Sequence, residues 1–321
     1  MVPKKYPYSF DPTYGYTLET LLDITPPAEP EGFAEFWQRA YEEAKNAQPM
    51  ARLADTGKTE NGWRIYDLNY TSTGGMKIGG WVGVPVKGPI RRGFVIGHGY
   101  GGRGGCDTHY PLRESVIFYP CMRGQWSRSM NPPISHESQY HVLHDIDKPD
   151  KYVLRGCVQD IWVAVTAMLN LFPQVEGHVG YLGGSFGGGL GALALPWDDR
   201  ISKAHLRVPT FGHHPIRLQC VGQGSGESVR KFHQKHPWVA ERTLPYYDAA
   251  IAATHIKIPV HCACALFDPN VCPPGQFAVY NAIPGKKKKL YVQDAGHFSY
   301  DNEAQQGQEI MDAIEAFFED L

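Results

Sequence analysis

A serine stands inside a run of glycines, Gly183-Gly-Ser-Phe-Gly-Gly188. The residues before it, His178 to Leu182, have the pattern of a short buried strand, and Gly189 to Leu195 have that of a helix of small residues. A serine on so tight a strand-to-helix turn is held in a strained backbone conformation, and its neighbours two positions away must lack bulk. The pattern therefore predicts that Ser185 is a nucleophile.

A glycine-rich loop that binds phosphate is the alternative interpretation of this run. A Walker motif is excluded, because no Gly-Lys-Ser/Thr follows. A dinucleotide fingerprint belongs near the start of a βαβ domain, whereas this run lies past the middle of the chain. On this motif alone, a chance cluster of glycines stays open.

A nucleophilic serine needs a base and an acid that orients the base. Asp268 follows an apolar run that predicts a strand, and His297 follows a second such run and precedes the last helix. The order Ser185, Asp268, His297, with each residue on a loop after a strand, is that of an α/β-hydrolase. Asp294 and Asp301 are weaker candidates for the acid, because they lie too close to His297 to come from a separate strand.

Two backbone N–H groups are predicted to stabilise the oxyanion of an acyl-transfer reaction. One belongs to Phe186, directly after the serine, at the N-terminus of the predicted helix. The other belongs to Tyr100, in the loop His98-Gly-Tyr-Gly-Gly102 that follows the predicted strand Arg92 to Gly97. We expect His98 to brace this loop rather than to react.

Apolar runs that alternate with helices predict an α/β fold, with a mostly parallel, doubly wound sheet and helices on both faces. The hairpin predicted from Trp63–Thr71 and 76–86 precedes these runs. The strongest predicted helix covers residues 152–172, and another covers residues 303–321 at the end of the chain.

The chain divides into an N-terminal part and a body. Residues 1–45 predict an arm rich in proline and aromatic residues, followed by a helix, both packed on the body. Residues 46–321 predict a single catalytic domain with insertions near 126–150 and 210–245, the second lying like a cap over the active-site mouth. Within this cap, His213 and His214 are either substrate contacts or part of a solvated turn.

Composition excludes several classes of protein. The 321 residues carry a net charge of −2, which gives no case for nucleic acid or an anionic membrane as partner. No signal peptide and no membrane-spanning stretch are found, and the seven cysteines are scattered, so we expect a cytoplasmic protein with reduced thiols. The pair Cys262-Ala-Cys264 favours core packing over a zinc site, so no metal is expected.

Several separate stretches of the chain carry the motifs of one known family. They are the loop His98–Gly102, the run Arg123-Gly-Gln125, Asp268 with Val271-Cys-Pro-Pro274, and Gly296-His297. In that order, they resemble the oxyanion loop, the Arg-Gly-Gln signature, the acid loop and the histidine of carbohydrate esterase family seven, the acetyl xylan esterases and cephalosporin C deacetylases. The Arg-Gly-Gln signature is the most specific match, and the likeness covers most of the chain.

The resemblance implies that Ser185, Asp268 and His297 are the catalytic triad of an α/β-hydrolase. It also implies that Arg123 and Gln125 support the site. The implied activity is removal of acetyl and other small acyl groups from short decorated sugars, without a cofactor. Relatives of this kind form hexamers whose active sites face an inner chamber, so a homo-oligomer is implied, with a hexamer as the model.

The chain departs from the family pattern in places. Phe186 stands where the family usually has Gln, and we expect it to make the pocket wall bulkier and less polar. The family's Gly-His-Glu is Gly-His-Phe here. Residues 126–150 form a loop that is unusually long for the family and rich in histidine. The alternatives are another hydrolase on the same fold, acting on a different ester, a lactone or a peptide, and a non-catalytic scaffold.

Overall fold

The computed structural model describes residues 2–125 and 128–321, and this part of the chain forms one nine-stranded sheet with helices packed against it. The strands are β1 (Arg52–Glu60), β2 (Trp63–Thr71), β3 (Lys77–Pro85), β4 (Arg92–Gly97), β5 (Ser115–Pro120), β6 (Val179–Gly184), β7 (Ile201–Arg207), β8 (Val260–Ala265) and β9 (Lys288–Gln293). Their order across the sheet is β1-β2-β3-β5-β4-β6-β7-β8-β9.

The helices fall before, between and after these strands. They are α1 (Leu18–Leu22), α2 (Phe33–Lys45), α3 (Ser138–His141), α4 (Val153–Leu171), α5 (Phe186–Ala194), α6 (His214–Arg217), α7 (Gly224–Lys235), α8 (Pro237–Thr243), α9 (Ala249–Ala253), α10 (Pro273–Ala282) and α11 (Glu303–Phe318).

The sheet is parallel from β5 to β9, and β1, β2 and β3 add antiparallel strands at one edge. The predicted, mostly parallel sheet and the predicted hairpin, which is β2 and β3, are therefore confirmed. Strand β1 was not predicted from the sequence. This edge strand is polar and has no buried face, so it lacks the alternation by which a strand is predicted.

Both faces of the sheet are covered, as the sequence predicted. Alternate side chains of a strand point to opposite faces. On β4, Val95 packs into the core beneath α4 and α5, whereas Phe94 and Ile96 pack into the core beneath α11. Nearly every residue of α4 is buried, which explains its continuous apolar pattern.

The N-terminal segment packs against the body at both ends. The buried face of α2, with Phe33, Phe36 and Trp37, lies against the first core, and the Trp37 indole N–H donates to the Tyr246 carbonyl at 2.8 Å. Before α1, residues 2–15 run as an extended arm along the loop that follows β8, where Asp268 donates its backbone N–H to the Pro12 carbonyl at 3.1 Å.

The two predicted insertions meet over the carboxyl ends of the strands. Residues 210–245 fold into α6, α7 and α8, for which the sequence had given no helical pattern. The short helix α3, from the insertion near 126–150, packs against α7. Residues 126 and 127 of that insertion lie outside the described residues.

Candidate active site

Ser185 lies at the junction of β6 and α5. Its backbone has φ 52° and ψ −113°, a conformation that residues other than glycine rarely adopt. A Cβ added to Gly187 would lie 2.7 Å from the carbonyl carbon of Gly97, so glycine is needed for the turn to pass β4. The helix begins at Phe186 rather than at Gly189. Its first turn is made largely of glycines, which carry no apolar periodicity, so the sequence predicted a later start.

The structure brings the three predicted side chains together. Oγ of Ser185 lies 3.0 Å from Nε2 of His297, and Nδ1 of His297 lies 2.8 Å from Oδ2 of Asp268. Asp268 follows the end of β8 and is fully buried, and His297 is in the loop after β9. The three residues therefore form one hydrogen-bonded series from a buried carboxylate to a hydroxyl.

The Asp268 carboxylate is held by more than the histidine. Its Oδ1 accepts the backbone N–H groups of Asn270 and Val271, each at 2.9 Å. Its Oδ2 accepts from the Gln276 side chain at 3.1 Å, and the same amide donates to the Val271 carbonyl at 2.6 Å. Gln276 was not predicted from the sequence, although a glutamine inside the buried first turn of α10 was a signal for it.

The carboxylate also sets the protonation of the histidine. Burial lowers the pKa of His297, but the charge and hydrogen bond of Asp268 outweigh burial, and the pKa is raised overall. Arg207, at the end of β7, acts in the opposite direction. The arrangement therefore stabilises an imidazolium next to the serine.

The loop after β4 passes beside the serine. A Cβ on Gly99 would lie 3.9 Å from the Ser185 Cβ. His98 ties this loop to its surroundings, because its Nε2 accepts the Met122 N–H at 2.9 Å and its carbonyl accepts the Gly187 N–H at 2.9 Å. Burial lowers the pKa of His98 to about 3, so the ring is neutral and braces the loop.

Phe186 lies behind the cavity rather than in its wall. Its side chain is fully buried, and its ring stacks on Tyr100 with the centroids 4.0 Å apart and the planes 21° apart. Phe211 meets the same ring edge-on at 6.1 Å. The expectation that Phe186 makes the pocket wall bulkier is therefore wrong. The ring supports the Tyr100 loop from inside the core instead.

Arg123 joins the chain after β5 to α4. Its Nη2 lies 2.6 Å from Oδ1 of the buried Asp160, its Nε lies 3.0 Å from Oδ2, and its Nη2 also donates to Thr73 at 3.0 Å. The Arg123 carbonyl lies 3.0 Å from Nε2 of His141, and Nδ1 of that ring lies 3.3 Å from the Tyr100 hydroxyl. Arg123 is thereby connected to the loop that carries Tyr100.

His141 and Gln125 are both buried near this connection. Burial lowers the pKa of His141 to about 4, so its neutral ring donates from Nε2 to the Arg123 carbonyl and accepts the Tyr100 hydroxyl at Nδ1. His141 belongs to the histidine-rich insertion near 126–150. Within the described part of the chain, neither atom of the Gln125 amide has a hydrogen-bond partner.

Ser185 and His297 open into a cavity of about 520 Å³. Its other walls come from the loop after β4, the two insertions and the loop after β8, and most of them are polar: Gly99, Tyr100, Gly101, His136, Glu137, Ser138, Gln139, Thr210, Gln223, Gly224, Ser225, Asn270 and Val271. His213 and His214 are not among them. The buried His214 bonds to the Tyr247 carbonyl, and His213 accepts the Ile216 N–H.

Over residues 2–125 and 128–321, no group of three His, Cys, Asp or Glu side chains is placed to hold a metal ion. In the same ranges, no helix has the length and apolarity needed to cross a bilayer.

The family model described as acetyl xylan esterase (AXE1) matches residues 16–312. The chain belongs to the acetyl xylan esterase family. This result confirms the family to which the Arg-Gly-Gln and Gly-His motifs pointed. Members of the acetyl xylan esterase family are carboxylic ester hydrolases, and so is this protein.

Solved structures agree on the fold. The acetyl xylan esterase from Paenibacillus sp. R4 superposes with a TM-score of 0.78 at 22% identity, covering 93% of this chain and 99% of that one. Acetyl xylan esterase 1 from Thermoanaerobacterium sp. JW/SL YS485 gives 0.77 at 22% identity, with 94% and 98% covered. An acylaminoacyl peptidase from Pyrococcus horikoshii gives 0.62 at 17% identity, with 80% and 41% covered. The α/β-hydrolase fold is thereby confirmed.

Proposed function

We propose that this protein is a serine esterase that removes acetyl and other small acyl groups from short carbohydrate esters through an acyl-enzyme on Ser185. The observation that carries the proposal is the series Ser185–His297–Asp268, with contacts of 3.0 Å and 2.8 Å, at the wall of a cavity. Family membership supports an acetyl ester as the group that is cleaved.

Acylation begins with neutral His297. Its Nε2 accepts the proton of the Ser185 hydroxyl as Oγ attacks the acyl carbonyl carbon. The resulting imidazolium is stabilised by Asp268, whose Oδ2 accepts from Nδ1. The imidazolium then gives its proton to the leaving alcohol oxygen, and the acyl group stays on Ser185.

The negative oxygen of the tetrahedral intermediate faces the loop after β4 and the start of α5. The proposed donors are the backbone N–H groups of Tyr100 and Phe186, and the position of Tyr100 and Gly99 in the cavity wall supports this assignment. Loss of one such donor typically lowers the rate by about 10²–10³. Arg123 and Gln125 are proposed to hold this loop indirectly.

Deacylation repeats these steps with water as the nucleophile. Neutral His297 takes a proton from the water molecule, whose oxygen attacks the acyl carbon. Proton return to Oγ of Ser185 then releases the carboxylic acid. The exposed fraction of the His297 side chain, 24%, leaves the ring open to the cavity from which water and substrate enter.

The cavity walls support a polar substrate. Side-chain hydroxyls, amides and one carboxylate surround the serine, among them Glu137, Gln139, Gln223 and Asn270. Such groups bind the hydroxyls of a sugar better than a long acyl chain. The volume of about 520 Å³ suits a short oligosaccharide ester rather than a polymer segment held over its whole length.

The test is acetate release from p-nitrophenyl acetate and from acetylated xylo-oligosaccharides, with Ser185→Ala as the inactive variant. Activity that survives this substitution would refute the proposal. A panel of lactones, peptides and esters of longer acids distinguishes the other hydrolase activities, and a folded protein inert towards every member would favour a scaffold.

Three statements about the whole protein belong to the same proposal. Residues 46–321 act as a single catalytic domain on which residues 1–45 dock. The protein forms a homo-oligomer, for which a hexamer is the first assembly to test. It is located in the cytoplasm. Light scattering and cell fractionation test the last two, and limited proteolysis between residues 45 and 52 tests the first.

A further inference from the structure

In the arm, defined as residues 2–15, partly buried and exposed side chains alternate where it lies against the body. Tyr6, Tyr8 and Phe10 are partly buried, whereas the residues between them are exposed. The family match begins at residue 16, so the arm lies outside it. The family match therefore does not explain the contacts of the arm, and their role must be inferred from the geometry of this chain.

Four aromatic rings form a closed cycle beside the active site. Tyr6 meets Phe267 with ring centroids 5.2 Å apart, and Tyr8 meets Phe298 at 6.0 Å. Phe267 and Phe298 contact each other at 5.2 Å, and Tyr6 and Tyr8 lie 6.2 Å apart with nearly parallel planes. Each ring thus touches two others, one from the arm and one from the body.

The two body rings are chain neighbours of the active-site pair. Phe267 directly precedes Asp268, and Phe298 directly follows His297. These residues lie on the loops after the neighbouring strands β8 and β9, and one backbone hydrogen bond, from the Gly296 N–H to the Phe267 carbonyl at 2.8 Å, joins the two loops. The Pro12 carbonyl, which accepts the Asp268 N–H at 3.1 Å, adds a third contact between the arm and these two loops.

We propose that Tyr6 and Tyr8 of the arm are positioning residues that hold the Asp268 and His297 loops in register for catalysis. This inference rests on the proposed function. The rings act through Phe267 and Phe298, and no arm residue lines the cavity in the described structure, so they do not touch the substrate. Tyr14 fixes the far end of the arm, since its hydroxyl donates to the Val221 carbonyl at 2.9 Å.

The charged groups that act on His297 come from the body. Asp268 raises its pKa, and Arg207 lowers it. The arm reaches this neighbourhood with the rings of Tyr6 and Tyr8 and with the Pro12 carbonyl. Loosening the arm therefore weakens the contact between Asp268 and His297 without adding or removing a charge.

The test compares Tyr8→Ala with Tyr8→Phe on a small acetyl ester. We expect Tyr8→Ala to lower kcat by about 10- to 100-fold, because small misplacement of a catalytic group costs that much, and to leave KM within about twofold. The acidic limb of the kcat/KM profile should move to lower pH. Tyr8→Phe keeps the ring, so kcat and the acidic limb should stay at their wild-type values. Tyr6→Ala should have the same effects as Tyr8→Ala.

Tyr66→Ala is the matched control, because Tyr66 is a partly buried tyrosine on β2, at the opposite edge of the sheet. A merely structural role for the arm would give the same lowered melting temperature in both alanine variants and an unchanged acidic limb. That result, or a fall in kcat that Tyr8→Phe does not restore, would overturn the proposal.

Proton NMR of the His297 Nδ1–H gives a readout that does not depend on turnover. In the wild type its titration should report a raised pKa, and in Tyr8→Ala the midpoint should fall. If the wild type is inactive but Tyr8→Ala still lowers the midpoint of the titration, the proposed function is refuted and the positioning role stands. An active wild type whose titration is unchanged by Tyr8→Ala would refute the positioning role alone.

Discussion

Asp268→Asn is the most informative single change, because the surroundings of the carboxylate fix how the new amide must lie. The two backbone N–H groups at Oδ1 require an oxygen there, so the amide nitrogen takes the place of Oδ2. It would then donate to Nδ1 of His297, at the position now 2.8 Å from the carboxylate. The imidazole proton would move to Nε2, which can no longer accept the proton of Ser185.

The expected loss follows from this change of tautomer. The same substitution in a serine protease lowers kcat on the order of 10⁴-fold, or about 5 kcal/mol of transition-state stabilisation. The amide nitrogen would also face the Gln276 side chain, a second donor, at a position now 3.1 Å away. We therefore expect a kcat loss of about 10⁴ and a lower melting temperature.

The pH profile gives the sign that tests the electrostatic argument. His297 must be neutral to accept a proton, so activity falls as pH drops through its pKa. Asp268 raises that pKa, and without its charge only burial and Arg207 remain, both of which lower it. The acidic limb of the residual kcat/KM should therefore move to lower pH.

The assay is hydrolysis of p-nitrophenyl acetate from pH 4 to pH 9, with Asp301→Asn as control. Asp301 is an exposed aspartate near His297 in sequence, and its substitution should leave the profile in place. An acidic limb that stays put or rises in Asp268→Asn, or a kcat within tenfold of the wild type, would refute the proposed role of the carboxylate.

Three further predictions concern the elements around the site. Gly187→Ala should lower the free energy of unfolding by ~3 kcal/mol and remove activity, because its Cβ would lie 2.7 Å from the backbone of β4. Gly104→Ala is the control: open space surrounds that position, so the variant should keep both its activity and the melting temperature of the wild type. Arg123→Lys should cost ~3 kcal/mol in urea unfolding, because a lysine cannot reproduce the two contacts to the buried Asp160. His141, whose pKa is lowered to about 4, disfavours folding as pH falls below its unfolded value of about 6.5; His141→Gln should flatten the stability curve between pH 6.5 and 4.

The sequence was most informative where chemistry demands particular residues in a particular order. Glycines on either side of Ser185, and an acid and a histidine after later strands, are conditions that the elbow and its partners impose on any sequence. The meeting of Ser185, Asp268 and His297 could therefore be expected without knowing the packing around them.

What the sequence could not predict depends on packing across the chain. Phe186 looked like a pocket residue because it follows the nucleophile, but stacking on Tyr100 buries it. His141 lies in a proline-bounded segment without periodicity, and its link to Tyr100 exists only once that segment folds over the loop. Strand β1 is a strand because β2 offers it hydrogen bonds, and its own polar residues carry no pattern of burial.

The central claim is that one hydroxyl, that of Ser185, forms the acyl-enzyme. The most direct measurement is mass spectrometry of peptides after reaction with a fluorophosphonate, which bonds covalently to an activated serine. The account predicts a single adduct on Ser185, absent from Ser185→Ala and formed much more slowly in His297→Gln. A folded, ester-hydrolysing protein that carries no adduct on Ser185, or carries it on another serine, would contradict the account.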